Sequence, residues 1–104
     1  MKTALTIDSI RNRIAPLMKR HGVKRAVLFG SHARGTNDYR SDVDLMLVMD
    51  TAKRFLERAA EFDDVYDALP GTAIDLLVYN PRELEKIGHR PFIRRILSEG
   101  IDLL

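Results

Sequence analysis

Two short, largely apolar segments, 26–29 and 43–49, most constrain the fold of this chain. Each is joined directly to polar residues of the kind that bind phosphates or metal ions. The first segment runs into Gly30-Ser31, and Asp42-Val43-Asp44 opens the second, with ten residues between these two motifs. A turn of small residues can approach a phosphate closely, and paired carboxylates can bind a divalent cation. The pattern therefore predicts two buried strands that carry a site for metal-dependent phosphoryl or nucleotidyl transfer.

The remaining sequence predicts helices around these strands. Apolar residues recur at helical spacing over 6–21. We also predict a helix over 51–69 that is capped by its first residue, a third strand over 72–79, and helices that begin at Pro81 and Pro91. An order of helix, strand, strand, helix, strand and helix favours an α+β (α/β-like) fold, with a small mixed β-sheet flanked by helices.

Length and composition exclude several classes of protein. We expect the 104 residues to form one domain that spans 1–104. The sequence has no cysteine, which excludes disulfides and thiolate zinc sites, and its longest apolar stretch, Leu45–Met49, is too short to span a membrane. Residues 1–5 lack the apolar core of a secretory signal. We therefore expect a cytoplasmic protein without a membrane partner.

The charge balance gives little support to a nucleic-acid partner. The formal net charge is +2, and the basic residues are scattered along the chain without interleaved aromatic residues. The sequence therefore shows no stacking platform for single strands. We interpret most of these charges, including Arg94 and Arg95, as a solvated surface.

Three aspartates carry the predicted chemistry. Asp42 and Asp44 are two residues apart on a strand, so their side chains share a face and their Cα atoms lie about 6.5 Å apart. Asp75 is the single charged residue of the apolar segment 73–79, and we expect it to be buried there. A buried carboxylate without a partner costs several kcal/mol, which favours a metal shared with Asp42 and Asp44 on a neighbouring strand. A cap or turn role for Asp42, and an arginine partner for Asp75, are the alternatives for each residue alone.

The loop after the first strand carries the predicted nucleotide-binding residues Gly30, Ser31 and Arg34. The main-chain amides of the turn and the Ser31 hydroxyl are suited to donate hydrogen bonds to the β- and γ-phosphates of a nucleotide. Arg34 is placed either to neutralise phosphate or to brace the loop through an ion pair, and both alternatives stay open. The histidines lack the spacing of metal ligands. His32 lies inside this loop, so contact with a phosphate is an alternative to a packing role for this residue.

These motifs together, in segments 30–35, 41–45 and 74–76, resemble the minimal nucleotidyltransferases (MNT) of the DNA polymerase β superfamily. The resemblance covers nearly the whole chain and implies the polymerase β-type nucleotidyltransferase fold. It implies an ATP-dependent enzyme in which Asp42 and Asp44 bind two Mg²⁺ ions, while Asp75 binds the catalytic metal and assists deprotonation of the acceptor hydroxyl. It also implies that Gly30 and Ser31 hold the triphosphate, so Asp42, Asp44 and Asp75 are the predicted catalytic residues and metal ligands.

The resemblance also implies a protein partner. Minimal proteins of this kind resemble antitoxins of HEPN-domain toxins, and some transfer AMP to a tyrosine of that partner. Since no residues remain for a separate acceptor domain, we expect the acceptor to be bound by the domain's own surface or to be a partner protein. We therefore predict an antitoxin that transfers AMP from ATP to a hydroxyl, on a tyrosine, of a HEPN toxin. The alternatives are a non-catalytic antitoxin that neutralises its partner by binding, and transfer to a small hydroxylated molecule or an RNA end.

Overall fold

A computed structural model describes residues 5–104 of the protein, so the predicted lack of a signal over 1–5 lies almost wholly outside the described residues. Within 5–104 the elements are, in chain order, α1 Ile7–Arg20, β1 Arg25–Phe29, α2 Ser31–Arg34, β2 Val43–Val48, a 3₁₀ helix Phe55–Phe62, α3 Asp63–Ala68, β3 Ile74–Tyr79, α4 Pro81–Ile87, α5 Pro91–Glu99 and β4 Ile101–Asp102. The predicted mixed α+β class is confirmed. In the described part of the chain, no helix is both long enough and apolar enough to cross a membrane.

The sheet brings the three sequence motifs to one end of the strands. Its strand order is β3-β2-β1-β4, with β1 antiparallel to β2 and to β4, and β2 parallel to β3. In the antiparallel pair Phe29 lies opposite Asp44, so the turn that follows Phe29 lies beside the start of β2. In the parallel pair Asp44 lies opposite Asp75. The expectation that the strands of Asp44 and Asp75 are neighbours is therefore confirmed.

The two faces of β2 pack into different hydrophobic clusters, as the alternation of its residues predicts. Val43, Leu45 and Leu47 join the cluster that contains the buried residues of α1 and α3. Met46 and Val48 join a second cluster on the opposite face, with Ile93 and Ile96 of α5. Because side chains alternate along a strand, Asp44 lies on the same face as α5.

The single helix predicted over 51–69 is wrong. The chain forms the 3₁₀ helix first and only then the short α3, and Thr51 accepts a hydrogen bond from the N–H of Lys53 (3.2 Å) without capping a helix. The physical reason lies at the carbonyl of Lys53, which accepts a hydrogen bond from the Arg58 side chain (2.8 Å). The amide of Glu57 therefore bonds to Arg54 (3.0 Å), three residues back, which is the 3₁₀ pattern.

A buried arginine fastens the 3₁₀ helix to the sheet. Arg58 is 5% exposed and donates hydrogen bonds to the carbonyl of Val78 (2.8 Å) and to both carboxylate oxygens of Glu83 (2.7 and 3.1 Å). Glu83 also accepts from the amide of Asn80, and these contacts, with Arg58 the largest, lower the pKa of Glu83. One guanidinium thus joins the 3₁₀ helix, β3 and α4.

We expect Arg58→Met to lower the free energy of unfolding by about 2 kcal/mol, because it leaves a buried carbonyl and a paired carboxylate without their donor. Arg54→Met is the matched control, since Arg54 is exposed and belongs to the same segment. Urea denaturation measures both variants. Equal small effects of the two substitutions would show that the Arg58 network does not hold this segment.

Candidate functional site

The turn after β1 places main chain directly against a carboxylate. Gly30 has φ +77° and ψ −152°, a conformation that is essentially restricted to glycine. A Cβ at Gly30 would collide with Oδ2 of Asp44 and lie 3.3 Å from its Cγ. The N–H of Arg34 donates to the carbonyl of Gly30 (3.1 Å) and closes the turn of α2. The chain therefore needs glycine at this position for two independent reasons.

Asp44 is the electrostatic centre of the site. Burial raises its pKa from the ordinary 3.8 to about 6, together with a hydrogen bond to the Asp75 carboxyl and the negative charges of Asp75 and Asp42. The positive charge of Arg34 lowers this pKa in part. Carboxylates that repel one another at close range favour a shared proton or a bound cation. The three aspartates predicted as the site thus act on one another in the folded protein.

The expected burial of Asp75 is wrong. Its side chain is exposed and lies on the face of β3 opposite to the buried Ile74 and Val78, so only one face of this edge strand is well covered at its start. Burial therefore does not force Asp75 to find a partner, although its position opposite Asp44 still places the two carboxyls within hydrogen-bonding reach. Asp42 is also exposed and directly precedes β2.

The carboxylates of Asp42, Asp44 and Asp75 are ligands of the type that a hard cation prefers, but their side chains are not arranged as a complete metal site. Among residues 5–104, no group of three or more histidine, cysteine, aspartate or glutamate side chains is arranged to hold a metal ion. Carboxylate oxygens are the ligands that Mg²⁺ prefers, and the raised pKa of Asp44 marks a position where added positive charge is favourable. Asp42 and Asp75 are exposed, so their side chains have room to turn towards a cation. The donor set therefore fits magnesium.

A cavity of about 260 Å³ opens beside Asp44. Its lining residues are Phe29, Gly30, Arg34, Asp44, Phe92, Arg95, Ile96 and Glu99. The cavity therefore brings together three of the residues predicted from sequence, Gly30, Arg34 and Asp44. Ser31, at the start of α2, is not among the lining residues. The ion-pair alternative for Arg34 is wrong for the described part of the chain, where its charge acts on Asp44 and no carboxylate lies within 4 Å.

Sequence analysis missed the contribution of α5 to this cavity. Phe92, Arg95 and Glu99 are spaced three and four residues apart, so they lie along one side of the helix. That spacing is visible in the sequence, but only the fold shows that this side of α5 faces Gly30 and Asp44. Arg95 is exposed, as predicted, and it also lines the cavity, which the sequence did not predict.

His32 packs inside the protein. It is 3% exposed, and its Nε2 atom has no hydrogen-bond partner among the described residues. Its neighbours in α2, Ser31 and Ala33, are partly exposed. His32 thus contributes to the packing of α2 and is not presented to solvent.

Comparison with known proteins gives a consistent family and fold. A family model described as a nucleotidyltransferase domain matches residues 10–103. A protein of Methanocaldococcus jannaschii named "putative protein adenylyltransferase" is 33% identical over 101 residues, covering 96% of this chain and 100% of that protein. A second protein of the same organism with the same description is 27% identical over 103 residues and covers 97% of each chain.

Two solved structures share the fold. A crystal structure described as a toxin–antitoxin with AMP-PNP has a TM-score of 0.61 and 22% identity, over 90% of this chain and 72% of that chain. A "putative nucleotidyltransferase from Sulfolobus solfataricus" has a TM-score of 0.53 and 20% identity, over 76% of this chain and 70% of that chain. These likenesses confirm the predicted nucleotidyltransferase-type fold.

Proposed function

This chain belongs to the nucleotidyltransferase domain family, and we propose that it transfers AMP from ATP to a hydroxyl group of a partner protein. The observation that carries the proposal is the meeting of Gly30, Arg34, Asp44 and Asp75 at one end of the sheet. A tight main-chain turn, a guanidinium and paired carboxylates are the groups that this reaction requires. The names of the two archaeal relatives support a protein acceptor, and the AMP-PNP of the structural neighbour supports an adenine nucleotide.

In the proposed reaction, the acceptor oxygen attacks the α-phosphorus of ATP, and the bond from the α-phosphorus to the bridging oxygen breaks as pyrophosphate leaves. The main-chain amides at Gly30 and Ser31 hold the β- and γ-phosphates, while Arg34 neutralises part of their charge. Asp75 accepts the proton of the attacking hydroxyl. The product is a phosphodiester between AMP and the acceptor.

Asp42, Asp44 and Asp75 are the residues that would hold two magnesium ions in this proposal. Bound magnesium supplies charge neutralisation at the phosphates and lowers the pKa of the attacking hydroxyl. The role of the protein is to keep three carboxylates close together in spite of their repulsion. The raised pKa of Asp44 is consistent with this role, since the charges of Asp75 and Asp42 add to the larger effect of burial.

We further propose that the partner is a HEPN-domain toxin, that the acceptor is a tyrosine, and that the modification neutralises the toxin. The toxin–antitoxin structure with the same fold supports a toxin as partner. The HEPN class and the tyrosine rest on the resemblance of the motifs to minimal nucleotidyltransferases. The proposal treats residues 1–104 as one domain that acts in the cytoplasm, where ATP is available.

Intact-mass spectrometry of the partner toxin tests the proposal. The protein encoded beside this chain, which we propose to be the toxin, is mixed with the protein, magnesium and ATP, and we expect its mass to rise by one or more AMP units. Peptide mapping then locates the modified tyrosine. Chelation of the magnesium with EDTA is expected to remove the mass increase.

An unmodified toxin in a stable complex with the protein would contradict the transfer and favour neutralisation by binding alone. In that case Asp44→Asn would neutralise the toxin as well as the natural sequence does. Under the proposal, the same variant forms the complex and fails to protect against the toxin. Growth of cells that carry the toxin with either the natural sequence or Asp44→Asn therefore distinguishes neutralisation by AMP transfer from neutralisation by binding alone.

A further inference from the structure

Helix α5 forms one wall of the cavity at Asp44. Ile93 and Ile96 are each 2% exposed and anchor α5 on the sheet, in the same cluster as Val27 and Met46. Ile96 also reaches the cavity, so the helix is held tightly at this point. The wall is therefore a fixed part of the fold and not a loosely attached segment.

Phe92 presents an aromatic ring at the mouth of this cavity. Its ring lies edge-to-face with that of Phe29, with centroids 6.0 Å apart and planes at 85°. Phe92 nevertheless remains 56% exposed, although it lines the cavity. A ring supported on one side and open on the other is suited to stack on a nucleotide base, which contributes about 1–3 kcal/mol per base in other proteins.

Arg95 adds a second guanidinium to the same cavity. Arg34 and Arg95 come from different elements and both line it, together with the carboxyls of Asp44 and Glu99. Among residues 5–104, no carboxylate lies within ion-pair distance of Arg95. Guanidinium groups bind phosphate oxygens in a bidentate manner, so an unpaired one beside the proposed triphosphate site is suited to that ligand.

We propose that α5 is the nucleotide-binding wall of the site, with Phe92 stacking on the base and Arg95 binding the phosphates. This inference rests on the proposed function, since it takes a nucleoside triphosphate as the ligand. A volume of about 260 Å³ is slightly below the ~300–1,000 Å³ of typical ligand pockets. The cavity is therefore large enough for part of a nucleotide, and the remaining part would extend out of the cavity towards the exposed carboxylates of Asp42 and Asp75.

Three probes separate the two contacts: ATP, adenosine and inorganic tripolyphosphate, each titrated without acceptor protein by calorimetry or NMR. We expect Phe92→Ala to weaken binding of ATP and adenosine about tenfold and to leave tripolyphosphate unchanged. We expect Arg95→Gln to weaken binding of ATP and tripolyphosphate about tenfold and to leave adenosine unchanged. Phe92→Leu keeps an apolar contact with Phe29 but lacks the ring, so it replaces Phe92→Ala if that variant folds poorly.

The chain offers a matched control for each substitution. Arg94→Gln removes the same charge from the adjacent position of α5, where the side chain does not line the cavity. Leu56→Ala removes an apolar side chain that is 91% exposed and lies on the 3₁₀ helix. Both controls are expected to bind all three probes like the natural sequence.

Equal losses in Arg94→Gln and Arg95→Gln would overturn the phosphate contact, because they would reflect general charge and not the cavity. Unchanged binding of adenosine and ATP by both Phe92 variants would overturn the base contact. If the binding pattern is as expected and no toxin is modified, the nucleotide wall stands and the proposed acceptor is wrong. If the natural sequence binds no ATP at all, both the wall and the proposed function are wrong.

Discussion

Asp44→Asn is expected to reduce nucleotidyl transfer by roughly a thousandfold while the protein remains folded. Asp44 lies against the main chain of Gly30, within hydrogen-bonding reach of Asp75, and under the influence of the Arg34 charge. Asparagine has nearly the same size, so the substitution removes the negative charge without opening a cavity. Transfer of AMP to the toxin under saturating ATP measures the loss.

The same substitution is expected to stabilise the metal-free protein at neutral pH. The folded-state pKa of Asp44 is about 6, above its ordinary 3.8, so the folded state holds this proton more tightly than the unfolded state does. The stability that protonation provides is complete below about pH 4 and is lost as the pH rises through about 6. The thermal unfolding temperature, measured without divalent cations, should therefore fall between pH 4.5 and pH 7.5 in the natural sequence. We expect this fall to be larger than in Asp44→Asn by about a few degrees.

Asp67→Asn is the control for both effects, because Asp67 is exposed on α3 and does not act on the pKa of Asp44. It should keep full activity and the pH dependence of the natural sequence. Extensive unfolding of Asp44→Asn would contradict the account, since it would make Asp44 a structural residue.

Gly30→Ala is expected to lower transfer by roughly a hundredfold, because it displaces the reacting groups. The added methyl group would overlap Oδ2 of Asp44, so either the turn or the carboxylate must move. The unusual φ and ψ of Gly30 add a backbone strain of about 1–3 kcal/mol. Activity and unfolding free energy should therefore both fall.

Gly22→Ala separates these two causes. Gly22 has the same φ of +77°, and a Cβ there would meet no atom within 4 Å. It ends α1 through hydrogen bonds from Gly22 to Lys19 (3.1 Å) and from Val23 to Met18 (2.9 Å). We expect Gly22→Ala to lose about 1–2 kcal/mol of stability and to retain transfer activity. A comparable loss of activity in both variants would show that destabilisation, and not the clash with Asp44, explains the effect at Gly30.

Local patterns in the sequence were sufficient to predict that Gly30 and Asp44 lie beside each other at one end of the sheet. The alternation of β2 placed Asp44 on the opposite face from Val43 and Leu45, and the structure confirms it. The glycine of the Gly30-Ser31 turn is explained by its φ and by its contact with Asp44. The resemblance to minimal nucleotidyltransferases is confirmed by the family match over residues 10–103, while the roles of the individual residues stay predictions.

The errors concern features that depend on contacts between distant residues. Asp75 is exposed while Ile74 and Val78 on the other face of β3 are buried, and an apolar segment does not by itself show whether both of its faces are covered. The Arg58 side chain, which bonds to the carbonyl of Lys53 at the start of the 3₁₀ helix, is held by Val78 and Glu83, which lie 20 and 25 residues further along the chain than Arg58.

The return of the chain after α5 was also not predictable from local pattern. The two residues of β4 pair with Val27 and Leu28, which are more than seventy positions earlier in the sequence. Gly100 permits this approach, since a Cβ there would collide with the side chain of Val27. That pairing fixes the end of α5 and so helps to place Phe92 and Arg95 beside the site.

The most direct test of nucleotidyl transfer follows the phosphorus atoms of ATP. The protein and its partner toxin are incubated with magnesium and with ATP labelled at either the α- or the γ-phosphate, beside the Asp44→Asn variant. The account predicts that the α-label appears on the toxin and the γ-label in pyrophosphate, and that Asp44→Asn shows neither. Transfer of the γ-label to the toxin, or equal α-labelling by Asp44→Asn, would contradict it.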